Sequence, residues 1–367
     1  MKRPLLFTLP LLLLAGCGGR SVTFEGARTF GYDDFPVVRT LDAGQAETVL
    51  DGHALLNPGM FCLLDSLVLT ADRHAPSVLN LYSLATGTLK ASFLREGHGP
   101  GEVVSLSEMR DLPHLRAVAV REAGNGKVLL YGYDDLAAAT GEIRPRAVYR
   151  ELPSSALLSE QRVLSKEPDT LAGPGRLKTT DGEGRTLERF GDYPRFPNEL
   201  PPDRCRELLS TGLSVVLSPD AGKALLADGG SDFFELWDLS TRTRTALLHG
   251  PDRILPELVV RQYDNLTVTS FGRYTAYTDA AAGERCVWLL YDGTPFDLSF
   301  DSEEEALEQE EPNNRLLCFD WQGNPLACWQ LPYSVSAMAI DRGGRRVYCL
   351  TSDEGQAVLV RFPLGDY

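Results

Sequence analysis

The stretch REGHGPGE is a glycine cluster whose residue types could serve three kinds of chemistry. After the opening Arg-Glu its members are Gly97, His98, Gly99, Pro100, Gly101 and Glu102. Such a cluster can cradle a phosphate, close a tight turn or let a second backbone approach, because glycine adopts φ values closed to other residues. A phosphate loop requires a Lys-Ser/Thr pair that opens a helix, and a dinucleotide fingerprint requires a strand-turn-helix unit. The residues that follow, VVSLSEMRDL, provide neither.

We therefore predict that the glycine cluster is a structural connection between two units of the fold. The glycines would take special φ values, Pro100 would stiffen the path, and Glu102 could accept hydrogen bonds from backbone N–H groups. His98 keeps a second role open, because connections of this kind are where ligand-facing side chains concentrate.

The segment DSEEEALEQEEPNN, residues 301–314, concentrates carboxylates that could bind calcium. It lacks the alternating oxygen-ligand spacing and the turn glycine of an EF-hand loop. We interpret it instead as an insertion that forms a solvated helix over residues 301–311, ended by Pro312.

Two of the seven cysteines, Cys318 and Cys328, flank a turn centred on Gly323. A hairpin at this turn would place them opposite each other, with Cβ atoms about 4.5–5.5 Å apart. That separation is slightly wide for a disulfide, which prefers about 3.8 Å. A disulfide and a pair of free thiols therefore both stay open.

Other arrangements that carry chemistry are missing from the sequence. It contains no CxxC motif, its five histidines are scattered, and it has no GxSxG motif. We therefore assign no catalytic residue, no metal ligand and no cofactor. No histidine or acid is seen to recur at matching positions of the repeat described below.

The N-terminus MKRPLLFTLPLLLLAGCGGR has a basic start, a short apolar run and small residues before Cys17. The run is shorter than the ~20 apolar residues that span a bilayer, so it predicts an export signal over residues 1–16. The ending Leu-Ala-Gly-Cys resembles the bacterial lipobox, whose cysteine is acylated and becomes the new N-terminus. An ordinary signal peptide is the alternative. No acid follows Cys17, which favours the outer membrane, on its periplasmic or outer face.

The charge of the chain argues against two classes of partner. The 367 residues carry a formal net charge of −15, and no stripe of Lys and Arg stands out. Attraction to nucleic acid or to an anionic lipid surface is therefore not expected.

A hairpin pattern recurs along the chain and defines the elements that position these residues. An apolar run, a few turn formers and a second apolar run occur in four segments: 78–94, 233–250, 315–332 and 346–364. Shorter apolar runs precede each hairpin, which gives units of about four strands. We predict an all-β fold, a six-bladed β-propeller with four-stranded antiparallel blades. Seven blades also fit the length, and a pair of β-sandwiches or a β-helix fits less well.

A propeller usually joins the two ends of its chain within one blade. We expect SVTFEGARTF (21–30) or DFPVVRTL (34–41) to supply a strand beside the last hairpin. The predicted organisation is a signal peptide (1–16), a tether with a possible closing strand (17–30) and a single propeller domain (31–367).

Two motifs carry a resemblance to a known family. LREGHGPGE resembles the G-x-G-P-G-E signature of the TolB-like six-bladed β-propeller lipoproteins, and it follows a blade hairpin as it does in that family. The C-terminal phrase NNRLLCFDWQGNPLACWQL, followed by VSAMAIDRGGRRVYCL, is similar to a second family pattern. The sequence departs from these patterns at Val103, where an aromatic residue is common, and at Gln322, where an acid is common. The resemblance implies a six-bladed fold and a cell-envelope lipoprotein, and it implies no activity.

These observations favour a binding scaffold, anchored to the membrane by its lipid, over an enzyme. Its inter-blade loops would bind an envelope protein, a peptide or a glycan. The alternative is a metal-dependent hydrolase or lactonase, whose ligands would come from several blades and meet at the channel mouth. A purely structural envelope component is a third interpretation.

Overall fold

The computed structural model describes most of the chain after residue 25. The described ranges are 26–99, 102–123, 126–150, 155–166, 175–194, 209, 215–250, 258–263, 266–271, 274–295 and 314–367. For residues 258–271, 274, 294 and 295 it describes the backbone alone.

The described chain is built almost entirely from short β-strands. It begins with three strands, β1 (Arg28–Phe30), β2 (Val37–Thr40) and β3 (Glu47–Leu50). Blade 1 contains β4 (Pro58–Leu64), β5 (Leu67–Asp72), β6 (Leu79–Ser83) and β7 (Leu89–Phe93), and is followed by β8 (Arg95–Glu96) and β9 (Glu102–Val103). Blade 2 contains β10 (Leu106–Leu112), β11 (Ala117–Glu122), β12 (Val128–Gly132) and β13 (Ala147–Tyr149). Blade 3 contains β14 (Ser155–Ser159), β15 (Arg162–Lys166), β16 (Leu177–Asp181) and β17 (Thr186–Phe190).

The second half of the ring has the same plan. Blade 4 contains β18 (Val216–Leu217), β19 (Lys223–Ala227), β20 (Phe233–Asp238) and β21 (Thr243–His249), and is followed by β22 (Leu258–Tyr263) and β23 (Leu266–Phe271). Blade 5 contains β24 (Tyr274–Ala282), β25 (Cys286–Pro295), β26 (Arg315–Asp320) and β27 (Pro325–Gln330). Blade 6 contains β28 (Val335–Ile340), β29 (Arg346–Asp353) and β30 (Gln356–Pro363), with β3 as its outer strand. The described helices are short: 3-10 turns at Tyr32–Asp34, Ala43–Gln45 and Pro113–Leu115, and α1 (Tyr133–Ala137).

Six mainly antiparallel sheets arranged around a channel confirm the predicted six-bladed β-propeller. The first strand of each blade lies innermost, and β4 packs beside both β10 and β28. Three of the four predicted hairpins form the two outer strands of blades 1, 4 and 5. The fourth, at 346–364, instead forms the second and third strands of blade 6, because its outer strand comes from the N-terminus.

The closing strand differs from the prediction. It is β3, which pairs antiparallel with β30, with Glu47 opposite Arg361. The predicted segments 21–30 and 34–41 do not close the ring: β1 and β2 lie parallel to the outer strands β21 and β27, and residues 21–25 lie outside the described residues. The chain passes along the outside of blades 4 and 5 before it reaches blade 6, so the closing strand occurs later in the sequence. We call residues 28–50 the N-terminal arm.

The core lies between neighbouring blades rather than inside one sheet. Each strand turns alternate side chains towards the blades on its two sides. Phe61 of β4 packs with Tyr348 of blade 6, whereas its neighbour Cys62 packs with Met109 of blade 2. Trp329 and Phe319 are completely buried in the same way on opposite faces of blade 5.

The two ends of the ring carry connections of different length. At the end where the inner strands finish, tight turns such as residues 65–66, 160–161 and 321–324 join the strands, and we call it the short-turn end. At the opposite end β17 finishes and β18 begins, on either side of residues 191–215, and β25 finishes and β26 begins, on either side of residues 296–314; we call it the long-connection end. No helix among the described residues is long and apolar enough to cross a membrane.

Candidate functional site

Buried polar side chains concentrate at the long-connection end, where the second strand of each blade finishes. Asp72, Glu122 and Asp228 occupy this place in blades 1, 2 and 4, and Lys166 occupies it in blade 3. The expectation that no acid recurs at matching blade positions was therefore wrong. The signal was present as an acid after an apolar run in LVLTAD, AVRE and ALLAD, but loops of unequal length conceal its period.

Two of these carboxylates hold the segment that leads into the first strand of their own blade. Asp72 accepts hydrogen bonds from the backbone N–H groups of Leu56 (3.0 Å) and Asn57 (2.8 Å). Glu122 accepts one from the N–H of Val104 (2.7 Å) and pairs with Lys127 (3.0 Å). Because buried backbone donors require a partner, these acids fix the base of the connections above them.

The glycine cluster is part of this base. β8 and β9 pair in parallel on either side of it, and Glu102 Oε2 accepts a hydrogen bond from the N–H of Gly99 at 2.8 Å. A Cβ atom at Gly97 would overlap the Glu102 carboxylate, so the loop can close around this side chain only with glycine there. His98 is exposed, and Pro100 and Gly101 lie outside the described residues. We interpret Glu102 as the residue around which the loop is built.

An ion-pair network crosses the channel. Arg110 of blade 2 donates to Glu108 (2.9 Å), and its Nη1 lies 3.4 Å from Asp279 Oδ1 and 3.2 Å from the carbonyl oxygen of Ala280, both in blade 5. Asp279 also accepts the backbone N–H of Met338 in blade 6, at 2.8 Å. The network therefore joins three blades from inside the channel.

The positive and negative side chains of this network stabilise one another's charged forms. Burial alone would raise the pKa of Glu108, but Arg110 and Arg121 outweigh it and hold that pKa below its usual range. Burial likewise opposes the charge of Arg110, whereas Asp279 and Glu108 raise its pKa. Glu108 thus remains ionised and is a poor general acid, and both carboxylates are already paired with guanidinium groups, which makes them poor metal ligands.

A second buried charge cluster lies between blades 3 and 4. Glu235 accepts from Arg176 at 2.9 Å and from Arg244 at 2.8 Å. Near it, burial and the charge of Arg176 lower the pKa of Lys166 to about 7. Burial also raises the pKa of Asp228. The base of the long-connection end therefore holds one group, Lys166, whose pKa lies near neutral, and a carboxyl group, Asp228, whose pKa is raised.

Two cavities open from the channel. The larger, about 630 Å³ and partly open to solvent, is bordered by Cys62, Met109, Ala280 and Met338 among others. The smaller, about 480 Å³, lies between blades 2, 3 and 4 and has a charged side at Arg121 and an apolar remainder. In the part of the chain that the structure describes, no group of three His, Cys, Asp or Glu side chains is arranged to hold a metal ion.

Cys318 and Cys328 do not form the disulfide that the sequence left open. Cys318 pairs with Ala327, and Cys328 pairs with Leu317, because an irregularity after Cys318 shifts the register by one residue. Their side chains therefore point to opposite faces of blade 5, and both are buried free thiols.

Two further predictions fall on residues that the structure does not describe. They are the signal peptide (1–16) with the lipidation site Cys17, and the helix over residues 301–311. Both stay predictions.

Comparison with known proteins finds similarity among solved structures, at low sequence identity. No family model and no curated protein sequence matches the chain. Among solved structures, a protein of Bacteroides fragilis NCTC 9343 named as exported has a TM-score of 0.49 and 12% identity, over 91% of this chain and 99% of that one. U3-55K has a TM-score of 0.46 and 10% identity, over 88% and 99%. A luciferin-regenerating enzyme has a TM-score of 0.43 and 9% identity, over 87% and 95%.

Proposed function

We propose that this protein is an exported binding scaffold, anchored to the outer membrane by a lipid on Cys17. Its ligand would be an envelope protein, a peptide or a glycan, bound at the long-connection end. The observation that carries this proposal is the difference between the two ends of the ring: the strands on either side of the two longest inter-strand segments, residues 191–215 and 296–314, meet those segments at the same end. Loops on a rigid scaffold are where binding function concentrates.

The buried polar groups also favour the long-connection end as the end that binds a partner. Asp72 and Glu122 fix the base of the connections in blades 1 and 2, so the residues above them start from a defined position. Leu56 and Val104, whose backbone N–H groups donate to Asp72 and Glu122 just before the inner strands, expose 58% and 44% of their surface. Exposed apolar side chains on a fixed backbone are suited to contact a partner.

The proposed lipid anchor is inferred from the sequence that precedes the N-terminal arm. Only residues 18–27 separate Cys17 from β1, and an extended chain spans at most about 3.6 Å per residue. Acylation of Cys17 would therefore hold the propeller close to the membrane. The resemblance to TolB-like propeller lipoproteins supports this placement.

The metal-dependent hydrolase gains no support from the channel. Its acids, Glu108 and Asp279, are compensated by Arg110 and Arg121. A hydrolytic metal would need such carboxylates to be available as ligands.

Site-specific photo-cross-linking in intact cells tests the binding end. A photoreactive residue at Leu56 or Val104 would report on the long-connection end, and one at Asp134 or Glu183, both exposed, on the short-turn end. We expect a discrete cross-linked species from the first pair and none from the second. Cross-links only from Asp134 and Glu183, or none from any position, would contradict the proposal.

A further inference from the structure

Asp111 differs from the other acids of the channel in the groups that surround its carboxylate. Within the described part of the chain it forms no ion pair, whereas Glu108 and Asp279 both pair with Arg110. Its carboxylate accepts a hydrogen bond from the Tyr133 hydroxyl and one from a backbone N–H, and both donors are uncharged. A carboxylate away from bulk water is stable as an anion when a cation lies beside it, so Asp111 is suited to bind a positively charged group.

The side chain of Asp111 lies at the wall of the larger channel cavity. It is on the same face of β10 as the side chain of Met109, because residues two apart in a strand point the same way. That face is turned towards blade 1, where Met109 packs with Cys62. All three residues border the cavity, and the charge of Asp111 raises the pKa of the Cys62 thiol. The carboxylate is therefore on the cavity side of the strand.

The charges around the cavity leave one negative charge in excess. The channel network together with Asp111 has three carboxylates and two guanidinium groups, which are Glu108, Asp111, Asp279, Arg110 and Arg121. Nearer the surface, the charge of Arg342 is matched by Asp65 at 3.0 Å. Burial raises the pKa of Asp111 to about 6, which still leaves most of the carboxylate ionised at neutral pH.

The rest of the cavity suits the apolar body of a small molecule. Its volume of about 630 Å³ lies within the range of about 300–1,000 Å³ that is usual for small-molecule sites. The apolar wall comes from the inner strands of several blades and includes Phe61, Leu63, Leu217, Met338 and Ile340. Pro113 and Pro219, which follow β10 and β18, border the cavity as well, so it reaches the short-turn end.

We propose that this cavity binds a small organic ammonium ion, a protonated primary amine with an aliphatic or aromatic body. The ammonium group donates a charge-assisted hydrogen bond to the Asp111 carboxylate, which the Tyr133 hydroxyl also contacts, and the body lies against the apolar wall. The site is at the opposite end of the ring from the proposed partner-binding end, so neither depends on the other.

Isothermal titration calorimetry with 2-phenylethylammonium and n-hexylammonium tests the site. The neutral counterparts 2-phenylethanol and n-hexanol have nearly the same shape without the charge. We expect at least one of the two ions to bind with one-to-one stoichiometry, at least about tenfold more tightly than its alcohol. Binding of neither ion, or no preference for an ion over its alcohol, would overturn the proposal.

Asp111→Asn tests whether this carboxylate is the group that binds the charge. The substitution nearly conserves volume, and it should weaken binding of the ammonium ion at least about tenfold while the affinity for the alcohol stays the same. Asp134→Asn is the matched control, because Asp134 is an exposed carboxylate at the same end of the ring, paired with Arg116. It should bind the ion as the unmodified protein does. Equal affinities of the two variants would reject the site.

Arg342→Gln should change the affinity in the opposite direction. The charge of Arg342 lowers the pKa of Asp111, so its removal leaves the carboxylate less compensated. At pH 8, where Asp111 is ionised, we expect the variant to bind the ammonium ion about two- to fivefold more tightly. Circular dichroism shows whether each variant is folded. Weaker binding by folded Arg342→Gln would contradict the electrostatic basis of the site.

Discussion

Arg110 reaches across the channel to Asp279 and thereby connects blade 2 with blade 5. Nη1 lies 3.4 Å from Oδ1, and the same nitrogen donates to the carbonyl oxygen of Ala280 at 3.2 Å. In a ring of six, these two blades lie opposite each other. Contacts between neighbouring blades build the rest of the ring, so this pair is a brace across its diameter.

Removal of the brace should destabilise the protein strongly. Arg110→Met leaves Glu108 and Asp279 with less compensation, and the loss of one partner of a buried pair costs about 3–5 kcal/mol. We expect a loss near the lower value, since a quarter of the Arg110 side chain is exposed. Urea unfolding would measure it. The double variant Arg110→Met/Asp279→Asn should recover part of the loss, and no recovery would show that the two charges are not coupled.

The N-terminal arm should stabilise the ring through Arg39. This guanidinium donates to the carbonyl oxygens of Leu364 (2.8 Å) and Asp366 (3.0 Å), and so ties β2 to the C-terminus beyond blade 6. Arg39→Ala should lower the free energy of unfolding by about 1–2 kcal/mol. Arg116→Ala is the control, because the Arg116–Asp134 pair is exposed and should change stability by less than about 0.5 kcal/mol. Equal effects of the two variants would contradict a role for the arm.

Lys166 should make stability depend on pH between about 7 and 10. Its pKa is about 7 in the folded protein, against about 10.4 in an unfolded chain. In this range the unfolded state binds more protons, so the free energy of unfolding rises with pH. Burial is the main cause of the lowered pKa and the charge of Arg176 adds to it, whereas the carboxylates of Asp228, Glu108 and Glu235 oppose it.

Lys166→Met isolates this dependence. Denaturant unfolding at a series of pH values should show a free energy of unfolding that changes less with pH in the variant than in the unmodified protein. The variant should be the more stable of the two, and the difference should be largest below pH 7. Parallel profiles would mean that Lys166 does not carry the effect.

Cys17→Ala tests the lipid anchor. The variant should appear in the soluble fraction with an unchanged circular dichroism spectrum, because Cys17 precedes β1, the first strand of the described chain. Fractionation followed by mass spectrometry of the N-terminal peptide measures both location and acylation. A variant that stays with the membrane would show that another part of the chain binds there.

The sequence predicts the hairpins well because their chemistry is local. Gly323 adopts a positive φ in the turn after β26, and apolar runs flank it on both sides. The one-residue shift after Cys318 is not local, because it depends on how β26 meets β27, and it is what separates Cys318 from Cys328. A propeller can thus be predicted while the partner of a given cysteine cannot.

The closing strand and the recurring acids at the ends of the second strands were not predicted, for other reasons. The closing strand β3 has four residues, as β2 has, and β1 has three; these are too few to show a period, and the partner strands are distant in sequence. Asp72, Glu122 and Asp228 do recur, but the segments between them differ in length. Only the folded ring shows that they share one level.

The N-terminal arm also determines where a mechanical load would act. A pull on the N-terminus reaches β1 first, where three residues pair with β21 and Arg28 holds the turn of blade 5. It then reaches β2, and only last the β3–β30 ladder that closes the ring. Tension from a membrane tether would thus first separate β1 from β21 and β2 from β27. The six blades would stay closed while the outside of the molecule yields.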